Sequence, residues 1–189
     1  AYLMPVLSET GNTPLAYRLL LNDTCRAWGF SIKHGATSIW ERWDGWTPEK
    51  GFQDPGMNSF AHYSFGAVGR WMFQYVAGID TDGPGFRRLI LKPHVAEGLD
   101  WVEARYGSIC GDIRSRWWYE GDNKTWHWRV VIPPNTTATI YVPSKNPQQV
   151  KVMAGKEVAK FVRQEDDYAI FQAPAGNYEF SVLPPDQKD

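Results

Sequence analysis

Asp80-Thr-Asp-Gly-Pro-Gly85 is where the chain changes character, and its reading decides the fold. Upstream, apolar residues recur at helical spacing. Downstream, short runs rich in Val, Ile, Tyr and Trp alternate with turn residues, and no helical period survives. Just before the break, Phe60, Tyr63, Ala67, Val68, Trp71, Met72, Tyr75, Val76 and Ile79 form a stripe at helical period, which predicts one long helix. Asn58 or Ser59 would cap it and Gly78 would end it. His62, Gly66 and Gly69 share another face of that helix. Two glycines there cost about 1 kcal/mol each relative to Ala, so a close approach of backbone or ligand is expected.

Three shorter helical stretches come first. Residues 1–10 carry the apolar side chains Tyr2, Leu3, Val6 and Leu7 and stop at Gly11. Asn12 or Thr13 caps the next, with Pro14 in its first turn, Leu15, Tyr17 and residues 19–21 on its buried side, and Asn22-Asp23 at its end. The third runs from about residue 25 to 33.

After the break, seven runs read as strands: 87–92, 112–119, 124–132, 138–142, 150–153, 168–172 and 178–183. Gly121-Asp-Asn-Lys124 is a hairpin signal, and Pro133-Pro134-Asn135 closes the strand before it. Strands at this spacing predict a β-sandwich. The fold class is therefore α+β in two parts, helices over 1–80 and an all-β sandwich over 81–189. The final residues 184–189 read as a frayed tail.

Composition excludes several classes. With 189 residues, 43% of them hydrophobic, 22% charged and a net charge of −1, the chain is globular and lacks the basic footprint of a nucleic-acid binder. No apolar run reaches membrane-spanning length. The two cysteines, Cys25 and Cys110, are too few for a disulfide framework and read as buried free thiols. His34, His94 and His127 stand apart from any metal-ligand spacing, so neither metal nor cofactor is expected. Asn123-Lys-Thr and Asn135-Thr-Thr fit the glycosylation acceptor pattern, which is common by chance. The opening Ala-Tyr-Leu-Met-Pro carries neither an initiator Met nor a signal-peptide pattern, and reads as a start that is not the native one.

The chemistry concentrates in His34-Gly-Ala-Thr-Ser-Ile-Trp-Glu-Arg-Trp-Asp-Gly-Trp46, where Trp40, Trp43 and Trp46 are interleaved with Glu41, Arg42 and Asp44. An indole offers a flat apolar surface, and a carboxylate offers acceptors for hydroxyl donors, a combination that suits a sugar. The plainer reading makes the tryptophans core and the charges a solvated edge. The aromatics Trp117, Trp118, Tyr119, Trp126 and Trp128 pose the same choice, since alternation must turn some of them outward.

Residues 35–46, followed by Met57-Asn-Ser-Phe-Ala-His-Tyr-Ser-Phe-Gly-Ala-Val-Gly69, resemble the last part of the catalytic domain of bacterial inverting α-L-rhamnosidases. Pro84-Gly85-Phe86, residues 89–93 and residues 107–117 resemble the start of the β-sandwich that follows in those enzymes. The resemblance runs from about residue 10 to 120. It implies the last helices of an (α/α) six-barrel followed by a sandwich, and removal of terminal L-rhamnose from glycosides by water attack with inversion. Position by position, Glu41 matches the family's general base and His62 a residue lining the rhamnose pocket. Trp40, Trp43 and Trp46 match pocket or near-pocket aromatics. From the residues themselves, Arg42 and Asp44 are further candidates for substrate contact, with an ion pair to Arg42 as the alternative for Asp44. The family's general acid belongs to an acidic motif ending in Gly-Trp-Gly-Asp; Asp44-Gly-Trp46 is not that motif, and nothing else here matches it. The chain therefore reads as the C-terminal piece of an enzyme, inactive alone. Its expected partners are L-rhamnose-containing glycosides and either the missing N-terminal part or another copy of the chain, with no nucleic acid and no membrane span. The competing reading is a non-catalytic carbohydrate-binding or structural module. The compartment stays open.

Overall fold

The computed structural model describes residues 2–122, 124–156 and 158–184; Asn123 of the first Asn-Xaa-Thr tripeptide and tail residues 185–189 lie outside them. The chain divides into two compact units, Ala1–Trp71 with Ala96–Gly98, and Met72–Val95 with Leu99–Asp189.

In the first unit, α1 (Leu3–Glu9), α2 (Thr13–Leu21) and α3 (Trp28–Lys33) follow the expected order. Met4 and Ser8 of α1 are buried, while Tyr2, Leu3 and Val6 are exposed. Trp71 is the reason. Its indole is fully buried, donates from Nε1 to Ser8 Oγ at 2.9 Å and meets the edge of Tyr17 at 5.8 Å. A buried indole N–H needs an acceptor, so α1 turns its serine inward. Cys25 is exposed and Cys110 half-buried; both are free, but neither is the buried thiol expected. Residues 35–45 form an irregular loop that ends in a two-residue ladder, β1 (Trp46–Thr47) against β2 (Gly51–Phe52).

The single helix expected over 58–79 is not formed. In its place stand α4 (Tyr63–Gly66), α5 (Val68–Trp71) and a π-helical turn, Met72–Val76. The cap is neither Asn58 nor Ser59 but His62, whose Nδ1 accepts from the Ser64 N–H at 3.2 Å. Tyr63 is 85% exposed, so the front of the apolar stripe has no core beneath it, and Ile79 has left the helix for a strand. Among the described residues, no close approach of backbone occurs at Gly66 or Gly69: a Cβ at Gly66 would meet Ile39 at an ordinary 3.8 Å, and one at Gly69 would meet nothing within 4 Å. Gly78 is different: at φ 72 it turns the chain where a Cβ would collide with the Pro93 backbone.

The second unit contains β3 (Ile79–Thr81), β4 (Arg88–Leu91), β5 (Trp101–Ser108), β6 (Gly111–Glu120), β7 (Thr125–Pro143), β8 (Val150–Ala154), β9 (Lys160–Glu165) and β10 (Tyr168–Val182). The break at 80–85 is thus the turn of a hairpin between β3 and β4. Sequence periodicity missed β3, β5 and β9. It also split β7 and β10 into two runs each. Pro133-Pro134-Asn135 bends β7 rather than closing it: Ile132 pairs with Gly176 and Thr137 with Pro174, so four residues of β7 bulge opposite Ala175, with Asn135 at φ 58.

The bend makes the sandwich. One arm of β7 pairs with β6 and with residues 176–182 of β10, which also carry β8. The other arm pairs with β4, in parallel, and with residues 168–174 of β10, which carry β9. Phe171 and Phe180 would stand roughly 30 Å apart in a straight strand. Their ring centroids are 5.3 Å apart, so β10 folds back and its two arms face each other. Ile113, Trp117, Trp128, Val130 and Phe180 from one arm and Leu89, Leu91, Ile140, Val142 and Ile170 from the other are fully buried.

Two indole N–H groups of this core lead to the turn that precedes β3, whereas Trp126 Nε1 is buried without a hydrogen-bond partner among the described residues. Trp117 Nε1 donates to Val76 O at 2.8 Å, and Trp128 Nε1 donates to Ser115 Oγ at 2.9 Å, whose own hydroxyl donates to Ala77 O at 2.6 Å. Helix-end carbonyls lack intrahelical donors, and here the sheet supplies them. Trp118 faces outward, but its ring stacks on His127 at 5.2 Å with the Arg116 and Arg129 guanidiniums at 5.4 and 5.0 Å. The chain's own groups occupy it, and Trp117, Trp126 and Trp128 are core.

Ser115→Ala should destabilise this unit by about 2–4 kcal/mol, because it strands a buried indole donor and a buried carbonyl together; chemical denaturation showing less than about 0.5 kcal/mol would contradict that hub. A second expectation concerns His94, whose ring lies 5.0 Å from that of Tyr75. Burial, with the Lys92 charge, pushes its imidazole from 6.5 down to about 4. The unfolded chain takes up this proton near 6.5 and the folded chain only near 4. This contribution is therefore fully present above 6.5 and is lost as pH falls from 6.5 towards about 4. An NMR titration of the His94 ring with an ordinary midpoint would count against it.

Candidate active site

The loop carrying Glu41 has no regular structure, so its backbone must find partners elsewhere. It finds them in residues 58–62. Glu41 N–H donates to Ser59 O at 2.8 Å, His62 N–H donates to Ile39 O at 2.9 Å, and the Ser38 hydroxyl donates to Phe60 O. The same lacing fixes the carboxylate: Ser59 N–H donates to Glu41 Oε2 at 2.8 Å. Glu41 Oε1 faces His62 Nε2 at 3.8 Å, longer than a direct hydrogen bond. Both side chains are largely covered yet accessible, 23% and 29% exposed.

Asn58, expected as a helix cap, instead locks the other end of the loop. It is buried and donates to Gly45 O at 2.9 Å, while a Cβ at Gly45 would stand 2.5 Å from Asn58 Oδ1. That approach explains the glycine after Asp44.

Glu41, Arg42, Trp43 and Asp44 line one open cavity of 340 Å³, joined by Phe65 and Arg26. Its aromatic wall is Trp43 stacked on Phe65, centroids 3.8 Å apart and planes within 20°, with the Trp28 edge against Trp43 at 5.0 Å. Arg42 grips Asp44 through two hydrogen bonds, Nε to Oδ1 at 3.1 Å and Nη2 to Oδ2 at 3.2 Å. Those bonds, with a smaller contribution from the Arg26 charge, hold the Asp44 carboxyl below the usual carboxylate range.

The other predicted site residues lie around this cavity rather than in its lining. His62 reaches Glu41 from the α4 N-terminus. Trp40 is buried with its ring edge-on to Phe60 at 5.3 Å, and Trp46 packs on His34 at 5.4 Å. Arg26 and the Ser59 amide went unforeseen. Arg26 arrives through a left-handed turn at φ 72 between α2 and α3, for which the local sequence carries no marker. Among the described residues, no group of three or more His, Cys, Asp or Glu side chains could hold a metal ion. No described helix is long and apolar enough to cross a membrane.

Residues 1–76 match the family model of the bacterial alpha-L-rhamnosidase 6 hairpin glycosidase domain, and residues 78–157 match the bacterial alpha-L-rhamnosidase C-terminal domain. The chain is 39% identical over 180 residues to an alpha-L-rhamnosidase of Streptomyces avermitilis, covering 95% of this chain and 17% of that protein. It is 38% identical over 185 residues to one of Formosa agariphila, covering 95% and 20%. The chain thus spans about a fifth of the length of these curated relatives. Among solved structures, it aligns with the S. avermitilis alpha-L-rhamnosidase complexed with L-rhamnose at a TM-score of 0.87 and 38% identity, over 95% of this chain and 17% of that one. The alpha-L-rhamnosidase of Dictyoglumus thermophilum aligns at 0.80 and 26% identity, over 97% and 20%.

The cap bond fixes the His62 tautomer. Because Nδ1 accepts from Ser64 N–H, the neutral ring carries its proton on Nε2, towards Glu41. Nitrogen-15 NMR at mildly alkaline pH should show a protonated Nε2 and a bare Nδ1; the reverse assignment would contradict the cap.

Proposed function

Because the chain belongs to the bacterial α-L-rhamnosidase family, we propose that it is the C-terminal part of an inverting glycoside hydrolase that removes terminal α-L-rhamnose, with Glu41 as general base. On this reading residues 1–80 are the last part of the catalytic domain and residues 81–189 its C-terminal sandwich.

The observation that carries the base assignment is the unequal treatment of the two Glu41 oxygens. Oε2 is satisfied by the Ser59 amide, while Oε1 has no direct hydrogen bond among the described residues and faces His62 Nε2 across 3.8 Å. A general base needs one lone pair held still and free to take a proton from water. The His62 proton on Nε2 gives that region a donor for a sugar hydroxyl or for the attacking water, and the Trp43–Phe65 wall gives it a flat apolar surface.

Inversion requires a second, protonated carboxyl roughly 6.5–9.5 Å away, across a gap that admits a water molecule. Asp44 is unsuited to that part, since Arg42 binds it through both oxygens and favours its charged form. The acid then comes from elsewhere in the enzyme. Exposed Tyr2, Leu3, Val6 and Ile32 give the helical unit apolar surface for the remainder of the enzyme or a second copy to cover.

The test is Glu41→Gln in the full-length protein, with an aryl α-L-rhamnoside as substrate. Turnover should fall about 10²–10⁴-fold with L-rhamnose binding retained, and the first sugar released by the unaltered protein should be the β-anomer by NMR. Undiminished turnover would sink the base assignment. Rhamnose binding without turnover in the unaltered protein would favour the non-catalytic module.

A further inference from the structure

We propose that Arg26 is a sugar-contacting residue of the Glu41 cavity, donating hydrogen bonds to hydroxyl oxygens of the bound L-rhamnose; this rests on reading that cavity as a sugar site. Two guanidiniums line the cavity, and they are used differently. Arg42 is committed to Asp44 through two hydrogen bonds. Arg26 lines the same 340 Å³ space, yet among the described residues it has neither a hydrogen bond nor an ion pair.

The chemistry on either side is complementary. A guanidinium only donates, an ionised carboxylate only accepts, and a sugar hydroxyl does both. Neighbouring hydroxyls of a pyranose can therefore donate to Glu41 and accept from Arg26, leaving both charges satisfied by a neutral ligand. The backbone points the same way. Arg26 sits at φ 72, a left-handed conformation that a long side chain adopts at a cost and that Gly or Asn takes readily. Among the described residues the side chain has only the nearby Asp44 charge, with no hydrogen bond or ion pair, to offset that cost, whereas a ligand in the cavity would supply hydrogen bonds.

Arg26→Asn separates the two roles, because Asn tolerates the backbone and lacks the guanidinium. In the full-length protein the variant should unfold at the same or a higher temperature, and its Kd for L-rhamnose by calorimetry should rise about tenfold, as expected for losing a charge-assisted hydrogen bond. Arg26→Lys, which keeps the charge without the fork, should fall between. A Kd within about twofold of the unaltered protein overturns the proposal, as does an unaltered protein that does not bind L-rhamnose. Glu41→Gln measured beside it keeps the two readings apart. Surviving turnover in that variant defeats the base assignment alone, and Arg26 is still judged by its own Kd.

Discussion

The backbone pairing of Glu41 with Ser59 is the constraint on which the functional half of the structure depends. Residues 35–45 form no helix or strand, and such a loop would ordinarily drift. Four hydrogen bonds to residues 59–62, and Asn58 reaching back to Gly45, hold it. The side chain proposed as the base is thereby placed by main-chain hydrogen bonds, and one of its oxygens is immobilised by the Ser59 amide.

Tryptophan accounts for much of the remaining order. Ten indoles in 189 residues invite a sugar-binding interpretation, but most of those described serve the fold. Trp28, Trp71, Trp117 and Trp128 each donate their N–H to an oxygen of the chain itself: Phe65 O, Ser8 Oγ, Val76 O and Ser115 Oγ. The bulk of each ring fills a core, and its one polar atom selects which neighbouring segment must come close. Within the motif, Trp43 lines the cavity with Glu41, while Trp40 packs on Phe60 and Trp46 on His34.

The mixed outcome for the long apolar stripe has one cause. Periodicity records which residues avoid water in the whole protein, and it is silent on what covers them. Trp71, Tyr75 and Val76 found cover here and Tyr63 did not, and the helix they share is broken at Ala67 and loosened into a π turn at Met72. Likewise, β7 and β10 read as four strands because turn residues lie within them. Pro133-Pro134-Asn135 is a bend only because β10 folds back opposite it. The missed strands β5 and β9 are edge strands with exposed residues, so burial left little pattern in their sequence.

By itself the sequence determined the change from helical to β structure near residue 80, the order of the first three helices, the Gly121 hairpin and the candidate chemistry of Glu41, His62, Arg42 and Asp44. Local spacing and turn preference carry that information, and the motifs carry the family. Tertiary structure alone decided that β7 and β10 bend into a sandwich, that His62 caps α4 and so carries its proton on Nε2, and that Arg26 joins Glu41 in one cavity. The His62 cap is a local bond to the amide two residues on, while the other two depend on groups far apart in the chain meeting at hydrogen-bond or van der Waals distance. No local pattern encodes such meetings, because they are settled by which buried donors and acceptors can be satisfied together.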